Sequence, residues 1–334
     1  MSSSSKRSKF FDNAKFILIF LVVLGHVISP LKKQDGILFT LYTSIFLFHM
    51  PAFIFISGYF TKQIEKKVSL LQTTKKLLIP YVLFQAIYSI YYFCIGQEKN
   101  LEFDFFHPHW AMWFLLSLFF WNLLLRVFTK LRWIGFFIAL LMGAGIGYID
   151  HIGSFLSLSR TFVFFPYYLL GHLMQGNQLK QIIRSKFSIP VGTAIILATV
   201  IILATAFPAN AIPWLFGDTS YASMGGKQIT DGLYRLLQYG FTIVVVFAFL
   251  SLIPSNQFRL TKIGERTIYV YLFHGFIIKL ILAIVPNKNL YNISGNYLLL
   301  ILFSFLLCLF LGSFLIKKYT SPFVELKLVL EKKA

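Results

Sequence analysis

Apolar runs long enough to cross a lipid bilayer recur from one end of this chain to the other. A span needs about 20 mostly apolar residues. Candidate runs lie at roughly 14–31, 38–60, 77–95, 110–128, 132–149, 161–176, 187–206, 232–253, 267–285 and 296–316. No water-soluble core accounts for them. Of 334 residues 57% are hydrophobic and 13% charged, with a mean hydropathy of +0.73, whereas soluble domains carry about 25% charged residues. The pattern predicts an all-α, polytopic transmembrane helix bundle of about ten spans. The fifth and sixth runs are short and hold Gly143, Gly145, Gly147 and Pro166. Such interruptions are tolerated where the backbone packs on protein or lines a cavity.

Charge gives the bundle a direction. Lys and Arg number 31 against 12 Asp and Glu, a net charge of +19. On a soluble protein this would suggest nucleic acid. Here the basic residues crowd the short segments between apolar runs, so they read as a topology signal, and no nucleic-acid partner is expected. With a cytoplasmic N-terminus, most of them fall on inner segments, among them Lys9, Lys15, Lys62, Lys66, Lys67, Lys75, Lys76, Arg126, Lys130, Arg132, Lys180, Arg184, Arg259, Lys262 and Arg266. The outer segments collect most of the acids: Asp35, Glu98, Glu102, Asp104, Asp150, Asp218 and Asp231. The chain therefore reads as a multi-pass protein of the cell membrane with both termini cytoplasmic. Residues 1–13 and 318–334 form tails around a ten-helix unit at 14–317. No small-residue cleavage site follows the first run, which is expected to be a retained helix. The longest outer segment, 207–231, is expected to be an ordered loop or short re-entrant piece.

An ionisable group inside a span is costly and so draws a functional hypothesis. Of seven histidines, His26, His49, His172 and His274 lie within apolar runs, and His107 and His109 sit just outside the fourth. Any one of them is equally readable as a satisfied packing residue. His26 stands out. It follows Gly25, which admits close approach, and it lies eleven residues after Lys15, about 16 Å along a helix. That spacing puts a cation at the cytosolic mouth and a base deeper in the membrane. Lys15 also reads as a snorkelling anchor. Other chemistries are poorly represented. His107 and His109 lack further metal-ligand spacing, so no metal is expected. Ser57-Gly58 has no G-x-S-x-G context, and Met224 to Lys227 is no phosphate loop. Cys94 and Cys308 lie inside apolar runs and read as packing.

These residues, in this order, resemble the membrane acyltransferase-3 family, and within it the fucose 4-O-acetylase-like acetyltransferases. The resemblance begins with Asp12-Asn13-Ala14-Lys15 running to Leu24-Gly25-His26. It continues through 48–60 (FHMPAFIFISGYF), 75–81 (KKLLIPY), 112–121 (MWFLLSLFFW), 160–172 (RTFVFFPYYLLGH) and 263–278 (IGERTIYVYLFHGFII). It implies a ten-helix enzyme that moves an acyl group, usually acetyl from acetyl-CoA, to a sugar hydroxyl of a cell-envelope glycan. The family's basic residue, ten positions, then catalytic His maps onto Lys15 and His26. Its pair of Arg before the third span is replaced by Thr73-Thr74-Lys75-Lys76, where Lys76 stands for one of them. Lys offers a point charge in place of a bidentate fork.

The resemblance implies Lys15, Lys75 and Lys76 on the CoA phosphates, and His26 as general base or acyl carrier. His109, Trp110, Trp113, Arg160 and Trp214 would line the sugar site. Asp12 would charge-balance Lys15 or act as an N-cap, and His49 and His274 would be partners of His26 or core hydrogen-bonders. The partners are then an acyl-CoA donor, an extracytoplasmic or lipid-linked glycan and the bilayer, with no permanently bound cofactor. The rival class is an exporter or flippase of a polysaccharide intermediate, with the histidines as proton relays or gates.

Overall fold

The structure, a computed structural model, describes residues 8–325 apart from 34, 65–69, 227, 286–288, 290–291 and 293–295, with the backbone alone at 62–64 and 70–71. Residues 1–7 and 326–334 of the expected tails, and Lys66 and Lys67, lie outside it. Every described element is helical, as lipid requires: a helix satisfies its own backbone polar groups within the segment. The helices are α1 (Lys9–Ile28), α2 (Gly36–Ile64), α3 (Leu70–Cys94), α4 (Trp113–Gly145), α5 (Leu158–Leu173), α6 (Gly176–Ile183), α7 (Ser188–Thr205), α8 (Ile212–Phe216), α9 (Ile229–Leu252), α10 (Thr261–Gly264), α11 (Thr267–Ile284), α12 (Tyr297–Leu311) and α13 (Phe314–Glu325). The first helix starts at Lys9, inside the segment expected as a tail.

All ten apolar runs fall on helices. Among the described residues seven helical segments are long and apolar enough to cross a membrane, and eight if the pair α12–α13, bent by 62°, counts as one. The shortfall from ten has two causes. One qualifying segment, Trp110–Tyr148, is 39 residues long and contains both the fourth and fifth runs. At Arg132 its backbone leaves the helical region, with φ 50° and ψ −125°. The chain folds back there: the backbone N–H of Leu156 donates to the carbonyl of Phe106, and the Phe106 and Phe155 rings stack 5.9 Å apart. A straight 39-residue helix would hold those ends roughly 58 Å apart. The second cause is α5, which has 16 residues, about 24 Å of helix against a hydrocarbon core of about 30 Å.

Helix α5 is enclosed rather than lipid-facing, with nearly every residue from Thr161 to His172 buried. It crosses α2 at two glycines. A Cβ on Gly58 would stand 2.0 Å from the Tyr168 carbonyl oxygen, and one on Gly171 2.0 Å from that of Phe55. Small residues let helix backbones approach within lipid, where packing and hydrogen bonds drive association. The bonds are present: Trp121 Nε1 donates to the Thr161 carbonyl at 2.7 Å, Tyr239 Oη to that of Val163 at 2.8 Å, and His172 Nδ1 pairs with Thr61 Oγ1 at 2.8 Å.

Both ends of the described chain lie at one end of the bundle. Asn13 donates to the carbonyls of Pro254 and Asn256, each at 2.8 Å, and accepts from Thr261 Oγ1 at 2.6 Å. Gly264 packs on the Asp12 backbone so closely that a Cβ would meet it at 1.8 Å. Near the other terminus, Tyr269 Oη donates to Glu325 Oε1 at 2.6 Å. The stretch from Pro254 through α10 to Tyr269 at the start of α11 thus holds the first and last helices together. Among its described residues, the segment 207–231 holds a five-residue helix, α8, between short 3-10 turns.

Candidate active site

A cavity of about 420 Å³ runs through the bundle between α1, α2, α3, α4, α5 and α11. Its walls come from residues at helical spacing. From α1 come Ile19, Val22 and His26, with Ser29 just past its end, and from α2 Tyr42, Phe46, His49, Met50 and Phe53. Each set recurs every three or four residues, so one face of each helix lines the space. One end is bounded by Lys76, Leu77 and Pro80 of α3 with Thr267 and Ile268 of α11. Ser29, Tyr42 and Arg160, with Leu215 and Phe216 of α8, bound the other. Along α1, the stripe from Ile19 to Ser29 covers about 15 Å.

His26 sits among aromatic rings in this wall. Its ring centroid is 4.3 Å from Trp110, 5.5 Å from His274 and 5.8 Å from Phe46. Trp110 in turn lies 4.9 Å from His274. His274 and His49 are buried and share one device. His49 Nδ1 is 2.7 Å from the Ile45 carbonyl, and His274 Nδ1 is 2.9 Å and 2.8 Å from those of Val270 and Tyr271. A carbonyl only accepts, so each Nδ1 carries the proton and each Nε2 keeps a lone pair. His274 Nε2 is buried and has no partner among the described residues. No hydrogen bond ties His26 to another described residue, which leaves its nitrogens to the cavity.

Arg160 closes the far side. Its guanidinium lies 5.1 Å from the Trp113 ring, donates through Nε to the Phe216 carbonyl at 3.3 Å, and pairs with Asp218 through Nη2. That leaves further N–H donors on a group bordering the cavity.

The residues expected at the site thus divide. His26, His49, Lys76, Trp110, Trp113 and Arg160 line the cavity, with His274 directly behind Trp110 and His26. Lys15 does not. It continues the α1 stripe one turn beyond Ile19 but is engaged with Asp12, Nζ to Oδ1 2.7 Å, and with the Phe60 ring at 5.8 Å. Asp12 lies within the first turn of α1, and the cap position is Ser8. Lys75 is exposed and borders no part of the cavity. His109 is withdrawn from the cavity into the segment before α4. Its Nε2 pairs with Ser89 at 3.0 Å, its Nδ1 faces Glu98 at 3.7 Å, and burial pushes the imidazole below its ordinary value against the opposite pull of Glu98 and Asp104. Trp214 stacks on Tyr221 at 5.1 Å and on Arg235 at 4.9 Å, and its carbonyl accepts from Arg235 at 2.7 Å, in a separate cluster.

Sequence reading did not single out Ser29, Tyr42, Thr267 or Tyr271, the remaining polar groups of the wall. Nor did it anticipate Gly275, where a Cβ would meet Trp110 Cζ3 at 2.2 Å and Tyr88 Oη at 2.4 Å. The signal for Tyr42 was present: with Phe46, His49 and Phe53 it forms one stripe of α2.

Compared along its length with known families, the chain matches the profile of the acyltransferase domain over residues 8–317. The chain belongs to the acyltransferase-3 family. This acyltransferase-3 protein, with its run of apolar helices, is an integral membrane protein. It is similar to the nodulation protein NolL of Mesorhizobium japonicum, 28% identical over 184 residues, 52% of this chain and 49% of NolL. The NolL of Sinorhizobium fredii is 29% identical over 149 residues, 40% of this chain and 41% of that one. The alignments thus span about half or less of these relatives. No solved structure matches this acyltransferase-3 chain.

Proposed function

We propose that this protein transfers an acyl group, acetyl from cytosolic acetyl-CoA, to a hydroxyl of a cell-envelope or exported glycan, with His26 as general base. The observation that carries this reading is the position of His26, on the wall of a cavity that reaches from Lys76 at one end to Arg160 at the other. Lys76 marks the donor end, where its cation suits the phosphates of CoA, and the charge bias of the loops supports placing that end in the cytoplasm of a cell-membrane protein. Lys15 and Lys75 lie beyond the cavity toward the same face and would serve the bulky nucleotide rather than the pantetheine arm.

In the proposed reaction the acyl thioester threads the cavity toward His26, and the glycan hydroxyl enters past Arg160. His26 takes the hydroxyl proton as the oxygen attacks the thioester carbonyl carbon. The carbon–sulfur bond then breaks, and the departing sulfur receives that proton from His26. His274, its ring centroid 5.5 Å from that of His26, would hold the base in one orientation by packing. Arg160, its charge partly balanced by Asp218, and the indoles of Trp110 and Trp113 suit a sugar ring at the far end.

The test is His26→Ala in membranes supplied with radiolabelled acetyl-CoA. Loss of general base catalysis costs about 10²–10⁴-fold, so transfer should fall to background at an unchanged protein level. Retained transfer overturns the assignment. In a deletion strain, normal glycan amounts without O-acyl groups agree with the enzyme, and loss of surface glycan itself points to export.

A further inference from the structure

Lys279 lies five residues beyond His274 on α11, inside a segment apolar enough to span a membrane. A lysine there is costly unless something compensates it. Among the described residues no carboxylate pairs with it. What it meets is aromatic: its Nζ is 5.9 Å from the Trp110 ring centroid and 5.5 Å from that of Tyr92. A cation is attracted to the face of an indole, and the more strongly where water is excluded.

Trp110 needs such help. Its φ is +39°, a left-handed backbone that a bulky residue holds only when its surroundings force it. Its ring presses on the bare backbone of Gly275, and the same ring forms the wall against His26 and His274. The next residue is tied down as well: Tyr271 Oη donates to the Ala111 carbonyl at 2.6 Å.

We infer that Lys279 is a positioning residue that holds the Trp110 indole against His26. Its importance for acyl transfer rests on the reading of His26 as the base; the holding of the indole does not. A lysine that merely snorkelled to the lipid headgroups would leave the cover on His26 unchanged when replaced.

The experiment compares the parent protein with Lys279→Met, which keeps the length and loses the charge, and Lys279→Arg, which keeps the cation. Purified full-length protein in detergent is treated with diethyl pyrocarbonate, and modification of His26 is followed by mass spectrometry. Trypsin cleavage after Lys15 and Lys32 isolates His26 as the one histidine of peptide 16–32. With the indole released, His26 should react about threefold faster or more in Lys279→Met and within about twofold of the parent in Lys279→Arg. In parallel, kcat for acetyl transfer should fall about tenfold in Lys279→Met with KM for acetyl-CoA within about twofold, and Lys279→Arg should restore it. Equal His26 reactivity in all three proteins overturns the inference, as does a faster reaction in both variants. If the parent transfers no acyl group, the functional reading falls while the reactivity comparison still decides the role of Lys279.

Discussion

At the scale of single residues, the site depends on what is missing as much as on what is present. Gly275 has no side chain where any would strike Trp110, so Gly275→Ala must push the indole off the His26–His274 wall. A displacement near 1 Å is enough to cost about 10²-fold in rate. We expect acetyl transfer by Gly275→Ala to fall by about that factor, while its gel-filtration profile matches the parent; unchanged transfer would show that Trp110 has room to move. His26 was legible in the sequence because an ionisable side chain in an apolar run has few reasons to be there, whereas Arg160, just before the sixth run, entered with the external segment that the family resemblance assigns to the sugar. His109 and Trp214 bore similar marks and lie elsewhere. Their residue types suit a sugar site, but each finds its partners away from the cavity, Ser89 and Glu98 for one and Arg235 for the other. Lys15 shares the face of His26 as the spacing indicates, yet its charge is already taken by Asp12. Sequence spacing fixes the face of a helix, and only the neighbouring helices decide what that face meets.

At the scale of elements, two contacts set the architecture. The crossing of α2 and α5 brings backbone onto backbone at Gly58 and Gly171, with no gap for a methyl group. Overpacking of a tight interface costs about 1–3 kcal/mol, so Gly171→Ala should lower the thermal unfolding midpoint in detergent clearly below that of the parent; an unaltered midpoint would mean that the helices part without penalty. The apolar runs announced all of these helices. They also marked a break between the fourth and fifth runs, at the basic segment of Arg126, Lys130 and Arg132; the φ of 50° that turns the chain at Arg132 carries no turn signature. Nor was the clasp formed by the stretch ahead of α11 visible, since Asn13 reaches carbonyls more than 240 positions away.

At the scale of the molecule, the contacts put Lys9 and Glu325 at the same end of the bundle, with Ser185 toward that end and Ser154 toward the opposite one. On the orientation proposed from the basic loops, the first end faces the cytoplasm. In a background with Cys94 and Cys308 replaced by Ser, a Ser154→Cys protein should react with a membrane-impermeant maleimide on intact cells, and Ser185→Cys only after permeabilisation; the opposite pattern would invert the proposed donor and acceptor sides. Charge proposes a direction, while the cavity that gives direction its meaning was not legible, being assembled from seven helices scattered over the whole chain.

The enclosure of α5 has a consequence for how the protein is made. A segment of 16 residues carrying Arg160 and His172 offers lipid little reason to accept it, and in the finished molecule it is wrapped by α2, α4 and α9. It cannot settle stably before those helices stand in the bilayer. Because α9 leaves the ribosome last, α5 must wait, incompletely housed, until synthesis has passed Leu252. The helix that delivers Arg160 to the cavity is therefore among the last to reach its final place, and the site cannot assemble on a partial chain.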